Sequence, residues 1–104
     1  FEDFTKVDIR AGTILLAEKH PDADKLLRLE VDLGEPSPRQ IVAGIAEFFA
    51  PADLVGKQVC VVANLAPRKL RGIESHGMIM AVRKEQGLEL VSISGPVPAG
   101  SKVS

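Results

Sequence analysis

From residue 27 the chain alternates strictly. Leu27, Leu29, Val31 and Leu33 are apolar, and Arg28, Glu30 and Asp32 between them are charged. A period of two puts the apolar set on one face of an extended strand and the charged set on the other. The stretch 7–17 is rich in Ile, Val, Thr and Leu and reads as the preceding strand. Gly12 within it marks a bulge or tight bend that would let a barrel coil. His20-Pro21-Asp22-Ala23-Asp24 turns between the two strands, because proline fixes φ and the aspartates accept backbone hydrogen bonds. Gly34–Pro38 is a second loop, and Arg39–Ala43 a short third strand.

The pattern then changes. Segments 46–49 and 51–55 read as helical turns with Gly56 as the stop. Residues 58–64 form a valine-rich buried strand, and 66–77 a long loop. Strands at 78–83 and 88–93 follow, joined by Glu85-Gln86-Gly87. Pro96, Pro98 and Gly100 make the tail 94–104 irregular. No repeat, heptad or low-complexity tract interrupts this order. Short strands with one helical element between the third and fourth predict an all-β fold. A five-stranded OB-fold barrel fits that order, although periodicity leaves other small barrels open.

Length confines this to one domain, 1–104. The apolar runs 59–63 and 78–82 are too short for a membrane-spanning helix, so no membrane partner is expected. The polar opening lacks a secretory leader pattern, and Phe1 in place of an initiator methionine reads as a piece cut from a longer chain. One cysteine, Cys60, leaves no internal disulfide framework and few cysteine-based metal sites. A cytoplasmic location is the simplest expectation.

The formal net charge of −1 conceals an asymmetry. Residues 1–52 carry six Lys/Arg against ten Asp/Glu, and 53–104 carry seven against four. Between positions 54 and 73 there is no acidic residue, while Lys57, Arg68, Lys69 and Arg71 are basic. A protein acidic overall can thus present a local anion-binding face.

Catalytic chemistry is thinly supplied. Cys60 sits in the apolar run Gln58-Val59-Cys60-Val61-Val62 and is expected as a buried core residue, not a nucleophile. His20, before a proline in a turn, is expected at the surface. With Asp22 and Asp24 it superficially resembles an oxygen-rich metal loop, but the further ligands of an EF-hand are missing. Phosphate-cradling glycine motifs are absent. No enzyme, metal or cofactor is expected.

The run from Asn64 to Met78 is different. Arg68, Lys69 and Arg71 lie within four residues of a Pro- and Gly-bounded loop, and only Glu74 offsets them locally. Each arginine can fork onto a phosphate, and the lysine adds a point charge. Asn64, Ser75 and the Gly77 backbone can hydrogen-bond sugars, phosphates or base edges. The competing reading is a solvated charged loop. Four Phe, with no Trp or Tyr, make a poor base-stacking platform. Phe1, Phe4, Phe48 and Phe49 are assigned to core or interface packing, and folded RNA read by backbone and shape suits the chain better than single strands.

Four segments carry a resemblance: Phe4–Gly12 (FTKVDIRAG), His20–Leu26 (HPDADKL), Ile41–Ile45 (IVAGI) and above all Val62–Met80, with its core NLAPRKLRGIESHGM. The chain resembles the tRNA-binding domain family. Within it, the chain looks most like the C-terminal appendage of methionyl-tRNA synthetases or the free-standing bacterial dimeric tRNA-binding proteins. The resemblance implies an OB barrel whose terminal extensions pair two copies into a homodimer. It implies binding to the outer corner of folded tRNA, in support of aminoacylation by a linked synthetase catalytic domain. By motif position Asn64, Pro67, Arg68, Lys69, Arg71, Ser75 and Met78 face tRNA, with Lys25 and Arg39 on the same barrel face. Phe1–Phe4 and Gly95–Val103 are the implied dimer contacts, and Glu74 is assigned to holding Lys69 or Arg71. An export-associated, peptide-binding chaperone of the same fold is the alternative.

Overall fold

The alternation at 27–32 becomes strand β2 (Leu27–Asp32), with Leu27, Leu29 and Val31 buried and the charged residues between them half-exposed. The structure, a computed structural model, describes residues 6–104. β1 (Ile9–Lys19) precedes β2. β3 (Arg39–Ala43), β4 (Gln58–Val62), β5 (Arg68–Leu70), β6 (Ile73–Ser75), β7 (Met78–Ile79), β8 (Ala81–Lys84) and β9 (Gly87–Leu90) follow. The main sheet runs β3-β2-β1-β4-β7, antiparallel throughout, and curls into a nearly closed five-stranded barrel. β5–β6 and β8–β9 are separate two-stranded hairpins. Ile14, Leu27, Leu29, Val31, Ile41, Leu54, Val59 and Val61 fill the interior.

β1 spans the sheet by pairing β4 with its first half and β2 with its second. Its irregularity is not at Gly12. The register against β2 slips between Ile14 and Leu16, leaving Leu15 unmatched and turned to solvent. Gly12 serves a different need. A Cβ there would lie 2.6 Å from Val31 Cγ1 and 3.0 Å from Val61 Cγ2, so neighbouring core side chains occupy that space.

The helical element is weaker than its sequence implies. Residues 46–49 make one turn, with the amides of Phe48 and Phe49 both donating to the Ile45 carbonyl, at 3.0 and 3.1 Å. Pro51–Asp53 is a single 3-10 turn. Ala50 between them is extended (φ −76°, ψ 140°), as the residue before a proline is biased to be, so the two turns cannot fuse into one helix. Phe49 packs against the core, whereas Phe48 is exposed. Phe1 and Phe4 lie outside the described residues.

Two further expectations are corrected. The loop at 66–77 contains the β5–β6 hairpin, and the strand at 78–83 divides at Met80 so that β7 pairs β4 while β8 pairs β9. The tail is irregular but tied down. Ala11 donates to the Ser101 carbonyl at 2.8 Å, Gly100 to Ala11 at 2.7 Å, and Val103 to Ile9 at 2.8 Å. Hydrogen-bonding to β1 thus covers an edge that would otherwise be left unpaired.

Gly100 makes that docking possible. Its φ is +87°, and a Cβ would stand 2.1 Å from the Leu33 carbonyl oxygen. Gly100→Ala therefore combines a left-handed backbone with a clash against main chain. It is expected to cost about 2–3 kcal/mol, read as a drop of roughly 10 °C or more in thermal midpoint by circular dichroism. A midpoint within a degree or two of the parent's would show that the tail contributes nothing to stability.

Candidate nucleic-acid interface

The basic residues stand on β5–β6, where Arg68 pairs with Ser75, Lys69 with Glu74 and Leu70 with Ile73. Arg71 and Gly72 form the two-residue turn, with φ of 53° and 86°. Two positive φ values describe the type I′ turn, whose twist matches that of a hairpin. An arginine in that first position is held in a left-handed conformation that costs an L side chain energy. The tip thus carries a guanidinium where the backbone alone would favour Asn or Gly.

Side-chain bonds to the barrel hold the hairpin in place. Ser75 is buried, and its hydroxyl accepts from the Val42 amide at 2.9 Å while donating to the Gly77 carbonyl at 3.1 Å. Gln40 Nε2 donates to the Glu74 carbonyl at 2.7 Å, and the His76 amide donates to the Gln40 carbonyl at 2.9 Å. His20, expected at the surface, is only 4% exposed. Its Nδ1 accepts from the Asp22 amide at 3.0 Å, so Nε2 carries the ring hydrogen and donates it to the Leu70 carbonyl at 3.1 Å. The turn after β1 is thereby bound to the hairpin. Nothing in the sequence signalled this, since Leu70 lies fifty positions downstream.

The nine residues singled out from the sequence fall into two groups. Pro67, Arg68, Lys69 and Arg71 are exposed on or beside the hairpin, and Met78 is exposed at the start of β7. Lys25 joins them, because it lines a cleft of about 380 Å³ together with Arg71. Among the described residues, none of Lys25, Arg68, Lys69 and Arg71 makes an ion pair. Glu74 does not hold Lys69 or Arg71; its carboxylate lies 2.8 Å from His76 Nε2.

Ser75, Asn64 and Arg39 are engaged within the fold. Asn64 accepts from the Asp8 amide at 2.9 Å and donates to the Lys6 carbonyl, anchoring the chain just before β1. Arg39 grips Glu35 through two nitrogens, each at 2.9 Å, and donates to the Ala63 carbonyl and, at 3.0 Å, to the His76 carbonyl. The guanidinium holds the Glu35 carboxyl below its ordinary range. Cys60 is buried as expected, and burial pushes its thiol up, away from the reactive thiolate. Leu65, 44% exposed beside the hairpin, escaped sequence reasoning because an isolated leucine carries no periodic signal. Of the implied dimer segments, Phe1–Phe4 lie outside the described residues. Gly95–Val103 is bonded to β1 of its own chain, with Val97 and Val103 exposed.

Residues 9–102 match the profile of the family described as "Putative tRNA binding domain". The chain belongs to this tRNA-binding domain family, a non-catalytic binding module. It is 57% identical to a methionine–tRNA ligase of Porphyromonas gingivalis over 104 residues, covering 99% of this chain and 15% of that protein. A second methionine–tRNA ligase, from Thermotoga maritima, is 53% identical over 103 residues, covering 99% of this chain and 16% of the other. The chain therefore spans about one-sixth of the length of these relatives. Among solved structures, a MetRS-related protein from Pyrococcus horikoshii superposes with a TM-score of 0.90 at 38% identity, covering 99% of this chain and 94% of that one. The chaperone CsaA from Bacillus anthracis superposes with a TM-score of 0.88 at 34% identity, covering 100% and 96%.

The different surroundings of Arg39 and Arg68 separate in a stability measurement. Arg39→Ala leaves the Ala63 and His76 carbonyls without their donor and is expected to cost about 1–3 kcal/mol in urea unfolding. Arg68→Ala is expected to stay within about 0.5 kcal/mol of the parent. Because Glu35 titrates below its unfolded value, its pairing stabilises the fold above that value and is lost as pH falls through the lowered one. The gap between Arg39→Ala and parent should narrow on acidification below about pH 4. Equal cost for the two variants at neutral pH would contradict this division.

Proposed function

We propose that this domain binds folded tRNA at its outer corner, reading backbone charge and shape rather than base sequence. The observation that carries the proposal is the placement of Arg68, Lys69 and Arg71 on an anchored hairpin without ion partners among the described residues, in a member of the tRNA-binding family. Phosphate oxygens supply the negative charge these groups lack, and both arginines offer the fork geometry that phosphate accepts. Lys25 extends the positive surface from the β1–β2 turn. The hairpin has no Phe, Tyr or Trp, which disfavours single-strand stacking as the source of affinity.

In this reading the domain acts as a cytoplasmic appendage of a methionyl-tRNA synthetase or as a free-standing homologue, and pairs as a homodimer. Attached to a catalytic domain, it raises the effective concentration of tRNA there and so supports aminoacylation without taking part in chemistry. The likeness to CsaA supports a second reading, peptide binding by the same fold.

Salt dependence discriminates between them. Neutralising roughly three to five phosphates gives a log–log slope of affinity against salt near −2 to −4. Arg68→Ala with Lys69→Ala should weaken tRNA binding and flatten that slope by about 2, with the melting temperature unaltered. Unchanged tRNA affinity in the double variant would remove the hairpin from the interface. Salt-insensitive capture of unfolded peptide, with no preference for tRNA, would favour the chaperone reading.

A further inference from the structure

Between the hairpin and the barrel wall lies a hollow of about 120 Å³. Val42 and Ser75, 5% and 4% exposed, line it at depth, while Leu65 and Met78, 44% and 53% exposed, stand at its rim with Arg68 and Leu70. Ser75 has already given its hydroxyl hydrogen to Gly77 and accepted one from Val42, so the lining is predominantly apolar in character. Water filling such a space gains few hydrogen bonds, and a partner that excludes it is favoured.

Resting on the proposed tRNA interface, we infer that this hollow receives one unstacked nucleobase of the bound RNA. Size and surroundings both argue for it. The space suits a single flat heterocycle, not a duplex or a folded peptide segment. A methionine thioether and an arginine plane both make favourable contacts with a π face, which serves a domain whose hairpin lacks Phe, Tyr and Trp. Arg68 has no ion partner among the described residues, so its donors are available to a base-edge carbonyl or to the phosphate of the same nucleotide. Lys69 and Arg71, on the same hairpin but outside the lining of the hollow, match the charge of the flanking phosphates. An apolar peptide side chain would fill the hollow equally well but would leave the Arg68 guanidinium at its rim unanswered.

The inference separates an apolar contact from an electrostatic one. The test compares the parent chain, the Arg68→Ala variant, and a double variant, Leu65→Ala with Met78→Ala. Each is titrated at several salt concentrations with folded tRNA and with inorganic polyphosphate, which has phosphates and no bases. Leu65 and Met78 are exposed, so the double variant should melt with the parent. Its tRNA affinity should fall about tenfold with the salt slope unchanged, while its polyphosphate affinity stays the same. Arg68→Ala should instead weaken both ligands and flatten the slope. Parent-like tRNA binding by the double variant, or an equal loss toward both polyanions, would overturn the base hollow. Loss of unfolded-peptide capture with tRNA affinity intact would also overturn it, assigning the hollow to a peptide partner. If the parent itself binds tRNA without a salt-steep slope, the interface reading fails; if only the double variant disappoints, the hollow alone does.

Discussion

The β5–β6 hairpin pairs in a ladder only with itself, so its position depends on a few bonds to the barrel. Ser75 reaches Val42 on β3, Gln40 reaches the Glu74 carbonyl, and His20 reaches Leu70 from the turn after β1. These bonds restrain both strands of the hairpin. Without them a two-stranded ribbon would be marginal in water, and its three cations would sample many arrangements. Order gained on folding is order that RNA binding need not impose, which is where a preorganised interface gains affinity. The buried His20 ring is the least replaceable of these anchors. It bridges an amide donor and a carbonyl acceptor at once, which few other side chains can do.

Charge is divided along the same line. Arg10 is paired with Asp8, Arg28 with Glu18 and Glu30, Arg39 with Glu35, and Lys84 with Glu89. These four cations are thus neutralised locally, and Arg28 sits across β1, β2 and β3 through Glu18, Glu30 and Gln40. Even Glu74, directly opposite Lys69, turns to His76. The cations left without ion partners include those on the hairpin and Lys25 beside it. A formal net charge of −1 is therefore compatible with a positive face, because field at a surface depends on which charges lack neighbours.

The barrel positions were largely legible. Alternation at 27–33, the β-rich runs and the buried Cys60 all follow from one residue's relation to the next few, and the structure bears them out. What misled was local chemistry read without its neighbours. A glycine inside a strand suggests a bend, yet Gly12 is small because Val31 and Val61 meet over it, and the bulge falls at Leu15. The loop at 66–77 concealed a hairpin because Arg-Gly is not a common type I′ pair.

At the site, residue type announced the cations, and a run of three within four positions needs no fold to be noticed. Residue type could not tell which polar groups were already engaged. Arg39, Asn64 and Ser75 look like ligand groups in the sequence, but each is tied into the fold by partners far away along the chain. His20 looks like a surface residue and is instead buried against Leu70. Periodicity and composition are short-range properties, so the sequence by itself determined the first four barrel strands, their core residues and the basic run, but not the hairpin that carries that run. Hydrogen-bond partnership across tens of residues exists only once the barrel has closed. Tertiary structure alone therefore decided which cations remain available, what holds them, and that an apolar hollow opens beside them.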